Sequence, residues 1–282
     1  MSGRLVLVGT PIGNLDDMAP RAAAAFASAS VLACEDTRRT GRLLAHLSVT
    51  VPKLVRLDEH TEESVAPWLL SLVAGGDVVA VASDAGMPGL SDPGARIASM
   101  AREQGLIIEV VPGPFAAAVA VVGSGLLDPS GRFCFEGFLP RKGAARDHRL
   151  AELAEERRTM VLYEAPHRLE RTIGVLADSL GGDRRVALCR ELTKLHEETW
   201  VGSLAEAVER CSEVDPRGEY VLVIEGAPTP VEADDGEILD ALRSALGAGV
   251  SRRDAAASVA AELGVAPNRV KRLLNQSDPG SD

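Results

Sequence analysis

Six stretches of this chain place acidic, basic or conformationally free residues directly after a short apolar run: GTPIGN (9–14), EDTRRT (35–40), SDAGMPGLSDPG (83–94), PGPFAAA (112–118), YEAPHR (163–168) and RELTKLHEETWVG (190–202). The third says most about chemistry. It holds three glycines, two prolines and two aspartates, and no basic residue. Loops that cradle phosphate bring Lys or Arg, or open a helix whose amides face the anion. A loop that offers carboxylates suits a ligand that is not gripped through a phosphate. Its glycines permit positive φ and close approach of the backbone, and Asp84 stands where it can accept hydrogen bonds from ribose hydroxyls or an amine.

The other stretches each support two readings. GTPIGN, with Glu35 and Asp36 after a second strand about 20 residues on, has the outline of a dinucleotide fingerprint. Pro11 stands against it, because proline fixes φ and removes an amide where a glycine must approach pyrophosphate. In EDTRRT, two carboxylates and two guanidiniums form either a site or a salt-linked helix start capped by Asp36 or Thr37. PGPFAAA turns into a helix of small residues and leaves space beside it. His167 follows Pro166 at a helix start, as a capping group or a catalytic one. Glu191, Lys194, His196 and Glu197 form a charge network in a loop.

These loops need strands to hold them at one edge. RLVLV (4–8), VLAC (31–34), KLVRL (53–57), VVAVA (78–82) and IIEVV (107–111) read as strands, alternating with Ala-rich or amphipathic helical stretches. That rhythm implies a mostly parallel sheet with helices on both faces. GSGLLDPSGR (123–132) breaks it, and a second set follows: FCFEGF, TMVLY, RVALCREL and EYVLVIE, with helices near 144–157, 167–180 and 203–212. The expectation is an α/β fold in two domains, 1–124 and 125–228, then a linker and helical tail over 229–282. In the tail, SRRD (251–254) has capping-box spacing, Gly264 ends that helix and Pro267 opens the next. The outline is a helix-turn-helix, or equally a packed helical hairpin.

Composition narrows the class. With 46% hydrophobic residues, 282 residues suffice for about two globular domains. No apolar run reaches the ~18 residues of a membrane span and the start lacks a signal-peptide pattern, so no membrane is expected and cytoplasm is the default. Four cysteines without a CxxC pair and five scattered histidines argue for reduced thiols and no metal site. A net charge of −11 argues against nonspecific coating of nucleic acid, although 141–149 and 251–272 are locally basic.

Taken together, LVGTPIGNLDD, EDTRRT, ASDAGMPGLSDPG, VPGP, GFLPRKG, YEAPHR, RELTKLHEE and GEYVLVIEG, in this order and spacing over about residues 4–226, resemble the tetrapyrrole methylase superfamily, and within it the branch that modifies ribosomal RNA. The resemblance implies S-adenosylmethionine folded in a cleft between two α/β domains, and a homodimer. It also implies methylation of the ribose 2′-hydroxyl of a cytidine in the decoding region of 16S RNA, free or in the small ribosomal subunit. That cofactor has no phosphate and carries a sulfonium and an amine, which suits the acidic glycine-rich loop.

By this resemblance Asp84, Ala85, Gly86 and Met87 line the cofactor site with Pro11 and Ile12, joined by Phe115, Ala116, Leu162 and Tyr163. Phe115 departs from the family, which carries serine there. Arg38, Arg39, Arg141, Lys142 and Arg168, with Arg269 and Arg272 in the tail, are the expected RNA contacts. Methyl transfer to a hydroxyl is an in-line displacement assisted by a base, for which Glu35, Asp36, His167 and Lys194 are candidates of equal standing. The same cleft would serve methylation of a corrin-like ring or a protein side chain, and GFLPRKG, YEAPHR and the helical tail favour RNA. A nonenzymatic RNA-binding protein is the rival from another class.

Overall fold

Residues 3–213, 216–228 and 233–276 are described in the structure, a computed structural model. The chain divides into two compact units, one up to Ala227 and one from Pro228. Residues 229–232, inside the expected linker, lie outside the described residues.

The first unit opens with β1 (Arg4–Val8), α1 (Pro20–Ser28), β2 (Val31–Cys34), α2 (Thr37–His46), β3 (Leu54–Arg56), α3 (Glu62–Ala74), β4 (Val78–Ala82), α4 (Ala95–Glu103), β5 (Ile107–Val111) and α5 (Ala116–Ser124). Its five strands pair in parallel in the order β3-β2-β4-β1-β5. Strands covered on both faces read as unbroken apolar runs, and VVAVA of β4 is buried from Val79 to Ala82. Phe26 and Leu44 pack on one face, and Leu69, Leu70 and Ile97 on the other. Because β1 and β4 are central neighbours, the loops that leave their carboxyl ends lie side by side, where open α/β sheets bind ligands.

A second sheet follows, with β6 (Phe133–Phe138), α6 (Ala144–Glu155), β7 (Thr159–Glu164), α7 (Pro166–Leu180), β8 (Arg185–Arg190), β9 (Glu198–Ser203), α8 (Leu204–Glu213) and β10 (Tyr220–Ile224). The order is β6-β7-β10-β8-β9, with only β6 and β7 parallel. β9 is a strand within a segment read from sequence as a loop. It lies at the sheet edge with no residue buried, so no apolar run marks it. α5 leaves the first sheet but packs Ala117, Ala120 and Val121 against Val161, Ala187 and Val223 of the second. Gly125, at φ +67°, ends it in the left-handed conformation that favours glycine.

The second unit contains α9 (Asp235–Gly247), α10 (Arg252–Glu262) and α11 (Pro267–Gln276) around a core of its own that includes Ile238, Leu242, Val259, Val270 and Leu273. Asp234 and Glu237 form a capping box on α9, and Ser251 caps α10 through the Asp254 amide. Gly264, at φ +63°, closes α10. Among the described residues no helix is long and apolar enough to cross a membrane.

Candidate active site

Glycine decides how closely the loops converge. Thr10 and Gly86 exchange backbone hydrogen bonds at 2.9 and 3.0 Å, and the Thr10 hydroxyl donates to Ser83 O at 3.2 Å. A Cβ on Gly9 would stand 2.5 Å from Gly113 N and 2.7 Å from Met87 Sδ, so the β1 and β5 loops touch backbone to backbone. At the far end of the 83–94 loop, the buried Glu62 accepts the amides of Gly94 and Ile97 at 3.1 and 3.0 Å, serving the free N–H groups at the start of α4.

Carboxylates interlock beside these turns. Glu35 accepts the Asp84 amide at 3.2 Å while Asp84 accepts the Asp36 amide at 3.1 Å, and Arg39 stands 3.4 Å from Asp84. Burial, helped by the Asp84 carboxylate, raises the Glu35 pKa despite that amide. Asp36 caps α2 through the amides of Arg38 and Arg39, which hold its carboxyl below the usual range. Asp92 differs from both. It has no hydrogen-bond or ion-pair partner among the described residues, and burial, with Glu35 and Asp84 adding to it, pushes its pKa up to about 7.

The loops bound a cavity of about 340 Å³ at the carboxyl edge of the first sheet, closed by the second. Ile12, Ala85, Gly86, Met87, Leu90, Ser91, Asp92, Phe115 and Ala116 line one side; Phe138, Tyr163–Pro166, Cys189, Leu192, Lys194 and Glu219–Val221 line the other. Phe115 meets Phe135 edge-on at 5.1 Å, Phe135 meets Tyr163 at 4.9 Å, and Phe138 meets Tyr163 at 5.8 Å, so an aromatic chain links the two walls. At the start of α5 Phe115 makes no side-chain capping bond. Burial pushes the Tyr163 hydroxyl up to about 12, which keeps it protonated. Lys194 sits 2.9 Å from Glu191 and 2.7 Å from Glu219; burial lowers its pKa, but the hydrogen bonds to these carboxylates outweigh it and the net shift is upward. Across the cleft, Asn14 N donates to Thr193 Oγ1 at 3.1 Å, tying the first loop to the β8–β9 loop.

Of the residues expected at the cofactor site, Ile12, Ala85, Gly86, Met87, Phe115, Ala116 and Tyr163 line the cavity, and so does Lys194. Pro11, Asp84 and Leu162 do not. Pro11 is buried within the first loop, and the Asp84 oxygens are taken by the Asp36 amide and Arg39. Leu162 points to the α7 face of its strand, since successive strand residues face opposite ways and Tyr163 faces the cavity. Glu35 and Asp36 are bound to backbone amides beside the cavity, and exposed His167 lines a separate hollow with Arg141 and Arg168. Arg38, Arg39 and Lys142 are exposed, as is Arg272 in the helical unit. Arg269 is paired with Asp235 through Nε at 2.9 Å and Nη2 at 2.6 Å, fastening α11 to the start of α9. Sequence reasoning assigned no role to Asp92, Glu62 or Glu219. The second aspartate of SDAGMPGLSDPG is the local sign that could have drawn attention to Asp92.

Two α/β layers that close such a cavity at their strand edges define a methylase of the tetrapyrrole type: the family model described as Tetrapyrrole (Corrin/Porphyrin) Methylases matches residues 4–208. The fold is shared with a uroporphyrin-III C-methyltransferase from Thermus thermophilus solved in complex with S-adenyl homocysteine, at TM-score 0.57 and 20% identity over 79% of this chain and 97% of that one. Ribosomal RNA small subunit methyltransferase I of Synechocystis sp. is 41% identical over 92% of this chain and 93% of its own length. The Mycobacterium tuberculosis protein of the same name is 44% identical over 92% and 90%. The chain belongs to this ribosomal RNA small subunit methyltransferase I branch of the tetrapyrrole methylase family.

Proposed function

We propose that the chain uses S-adenosylmethionine to methylate the ribose 2′-hydroxyl of a cytidine in the decoding region of 16S RNA, acting as a homodimer in the cytoplasm. Its family membership supports methyl transfer to small-subunit RNA. The observation that carries the cofactor reading is a largely apolar cavity whose glycine-containing wall lets backbone approach a ligand closely and brings no cation. The residues present fit a ligand with a sulfonium and an amine and no phosphate.

When bound, S-adenosylmethionine supplies a methyl group activated by its sulfonium. Gly86 and the Gly9–Gly113 contact let backbone close on the cofactor, while Ile12, Ala116 and Leu192 exclude water from it. The acceptor hydroxyl must lose its proton as the new O–C bond forms and the C–S bond breaks. Lys194 is unsuited to take that proton because Glu191 and Glu219 keep it protonated. Asp36 is occupied as a helix cap and Glu35 by an amide, and His167 lies outside the cavity. Asp92 combines position, a free carboxyl and a pKa near the working range, and it is the base in this reading.

Incubation with labelled S-adenosylmethionine and small subunits that lack ribose methylation tests the whole reading. A 2′-O-methylcytidine recovered by nucleoside mass spectrometry is expected; label on a base, a protein or a tetrapyrrole would refute it. Asp84→Ala is expected to weaken cofactor binding roughly tenfold through loosening of the Asp36–Asp84–Glu35 interlock. Unchanged affinity in titration calorimetry would detach that interlock from the site.

The α9–α11 unit serves RNA docking in this reading. Between Ser251 and Asn275 it has five basic residues against two acidic ones, and phosphate contacts from such a surplus weaken with salt. A chain ending at Glu232 keeps all four core clusters of the two sheets. It is expected to bind S-adenosylmethionine normally and to lose most activity on ribosomal subunits. Full activity after truncation would remove the docking role, and aggregation would point to a structural one.

A further inference from the structure

A second cavity, of about 290 Å³, opens between α6, α7 and the loop after β6. Four arginines line it, Arg141 from the loop, Arg146 from α6 and Arg168 and Arg171 from α7, with His167 beside them and no carboxylate in the lining. Their surroundings differ. Arg168 is fixed: its Nε lies 3.1 Å from Glu164 Oε1 and its Nη2 donates to Leu139 O at 2.8 Å. Arg146 reaches only Asp147, at 3.4 Å. Arg141 and Arg171 are exposed and have no hydrogen-bond or ion-pair partner among the described residues. In a chain with 41 acidic and 30 basic residues, four guanidiniums converge on one hollow whose lining holds no carboxylate, and two of them, Arg141 and Arg171, have no compensating acid. An anion supplies that compensation, and the guanidinium fork matches two phosphate oxygens at once.

The position of the hollow says which anion. Phe138 and Pro166 line the first cavity while their chain neighbours Leu139 and His167 line the second, and consecutive Cα atoms are only about 3.8 Å apart. The wall between them is a buried contact, Thr172 Oγ1 donating to Glu164 Oε2 at 2.6 Å, with Glu164 on the first cavity and Thr172 on the second. We propose that the arginine cavity is a phosphodiester subsite that seats a backbone phosphate next to the ribose being methylated. This rests on the RNA-methyltransferase reading above and adds Arg146 and Arg171, with His167, to the substrate side of the site. Arg168, held by Glu164, sets the position of the phosphate relative to the first cavity.

The test is the full chain carrying Arg146→Ala with Arg171→Ala, beside Arg171→Gln alone and the Arg146→Lys, Arg171→Lys pair. Three quantities are read: S-adenosylmethionine affinity by calorimetry, KM and kcat on unmethylated small subunits, and binding of a fluorescent single-stranded RNA of decoding-region sequence against salt. The alanine pair is expected to leave cofactor affinity unchanged, raise KM about 10- to 100-fold with kcat within a few-fold, and make the log–log salt slope shallower by about 0.7, the single-strand value for one phosphate. Arg171→Gln should give about half of that change in slope. The lysine pair keeps the charge but loses the fork, so its slope should match that of the unsubstituted chain while KM still rises. Unchanged KM and slope in the alanine pair would overturn the subsite, as would tighter binding of a phosphoserine peptide than of the RNA. If the unsubstituted chain methylates no RNA yet the alanine pair still flattens the slope, the functional reading fails and the phosphate subsite stands.

Discussion

Asp92→Asn is expected to lower kcat for methyl transfer by ~10²–10⁴, the usual contribution of a positioned base, while S-adenosylmethionine still binds. The carboxyl lines the cavity without a partner, and burial pushes its pKa up to about 7. The base is the ionised form, so the rate of the unsubstituted enzyme should climb as pH rises through about 7 and level above it. The residual rate of the asparagine variant should lack that limb. Stability runs the other way. A carboxyl whose pKa is higher folded than unfolded favours folding below its unfolded value of about 4, and that contribution is lost as pH rises through the folded value. Asparagine removes the buried charge, so the variant should melt higher than the parent at pH above about 8 and with little difference near pH 4. A full rate at neutral pH, or a parent profile flat across pH 7, would exclude Asp92 as the base.

The reason Asp92 escapes a reading of the sequence is physical. SDAGMPGLSDPG has two aspartates in similar local settings, and ligand chemistry drew attention to the first. What separates them is distant in the chain: Asp84 meets the amide of Asp36 and the guanidinium of Arg39, whereas Asp92 has no hydrogen-bond or ion-pair partner among the described residues. Arg269 makes the converse case, reading as a phosphate contact until Asp235 is found beside it. His167 and Pro166 are neighbours in sequence yet face different cavities, because the strand ends at Glu164 and a helix begins at Pro166. The sheet itself was legible. VVAVA and RLVLV are apolar because both faces of β4 and β1 are covered, and the turns after them are glycine-rich because backbone must meet backbone. β9 was not legible, since an exposed edge strand needs no apolar pattern, and its pairing with β8 is set by register alone.

Gly9→Ala is expected to abolish measurable cofactor binding in a chain that still folds. Its new methyl carbon would stand 2.5 Å from Gly113 N and 2.7 Å from both Gly113 Cα and Met87 Sδ, distances that force a shift. Neither backbone can retreat alone. Gly9 donates to Val111 O at 2.9 Å, and the next residue, Thr10, is bridged to Gly86 on the other side. Relief therefore moves the β1, β4 and β5 loops together, and those loops carry Ile12, Ala85–Met87, Asp92 and Phe115 of the cavity wall. Overpacking of this kind costs about 1–3 kcal/mol, which lowers Tm by roughly 2–4 °C per kcal/mol in a unit of this size. Gly113→Ala should behave alike, since its Cβ would lie 2.7 Å from Gly9 C. The control is Gly41→Ala, inside α2 with nothing within 4 Å of the added carbon. It should leave binding intact and raise stability by up to ~1 kcal/mol, the helix-propensity difference between the two residues. Calorimetric titration with S-adenosylmethionine and thermal melts separate these outcomes. If Gly9→Ala binds the cofactor as the parent does, the convergence of the three loops is not what shapes the site.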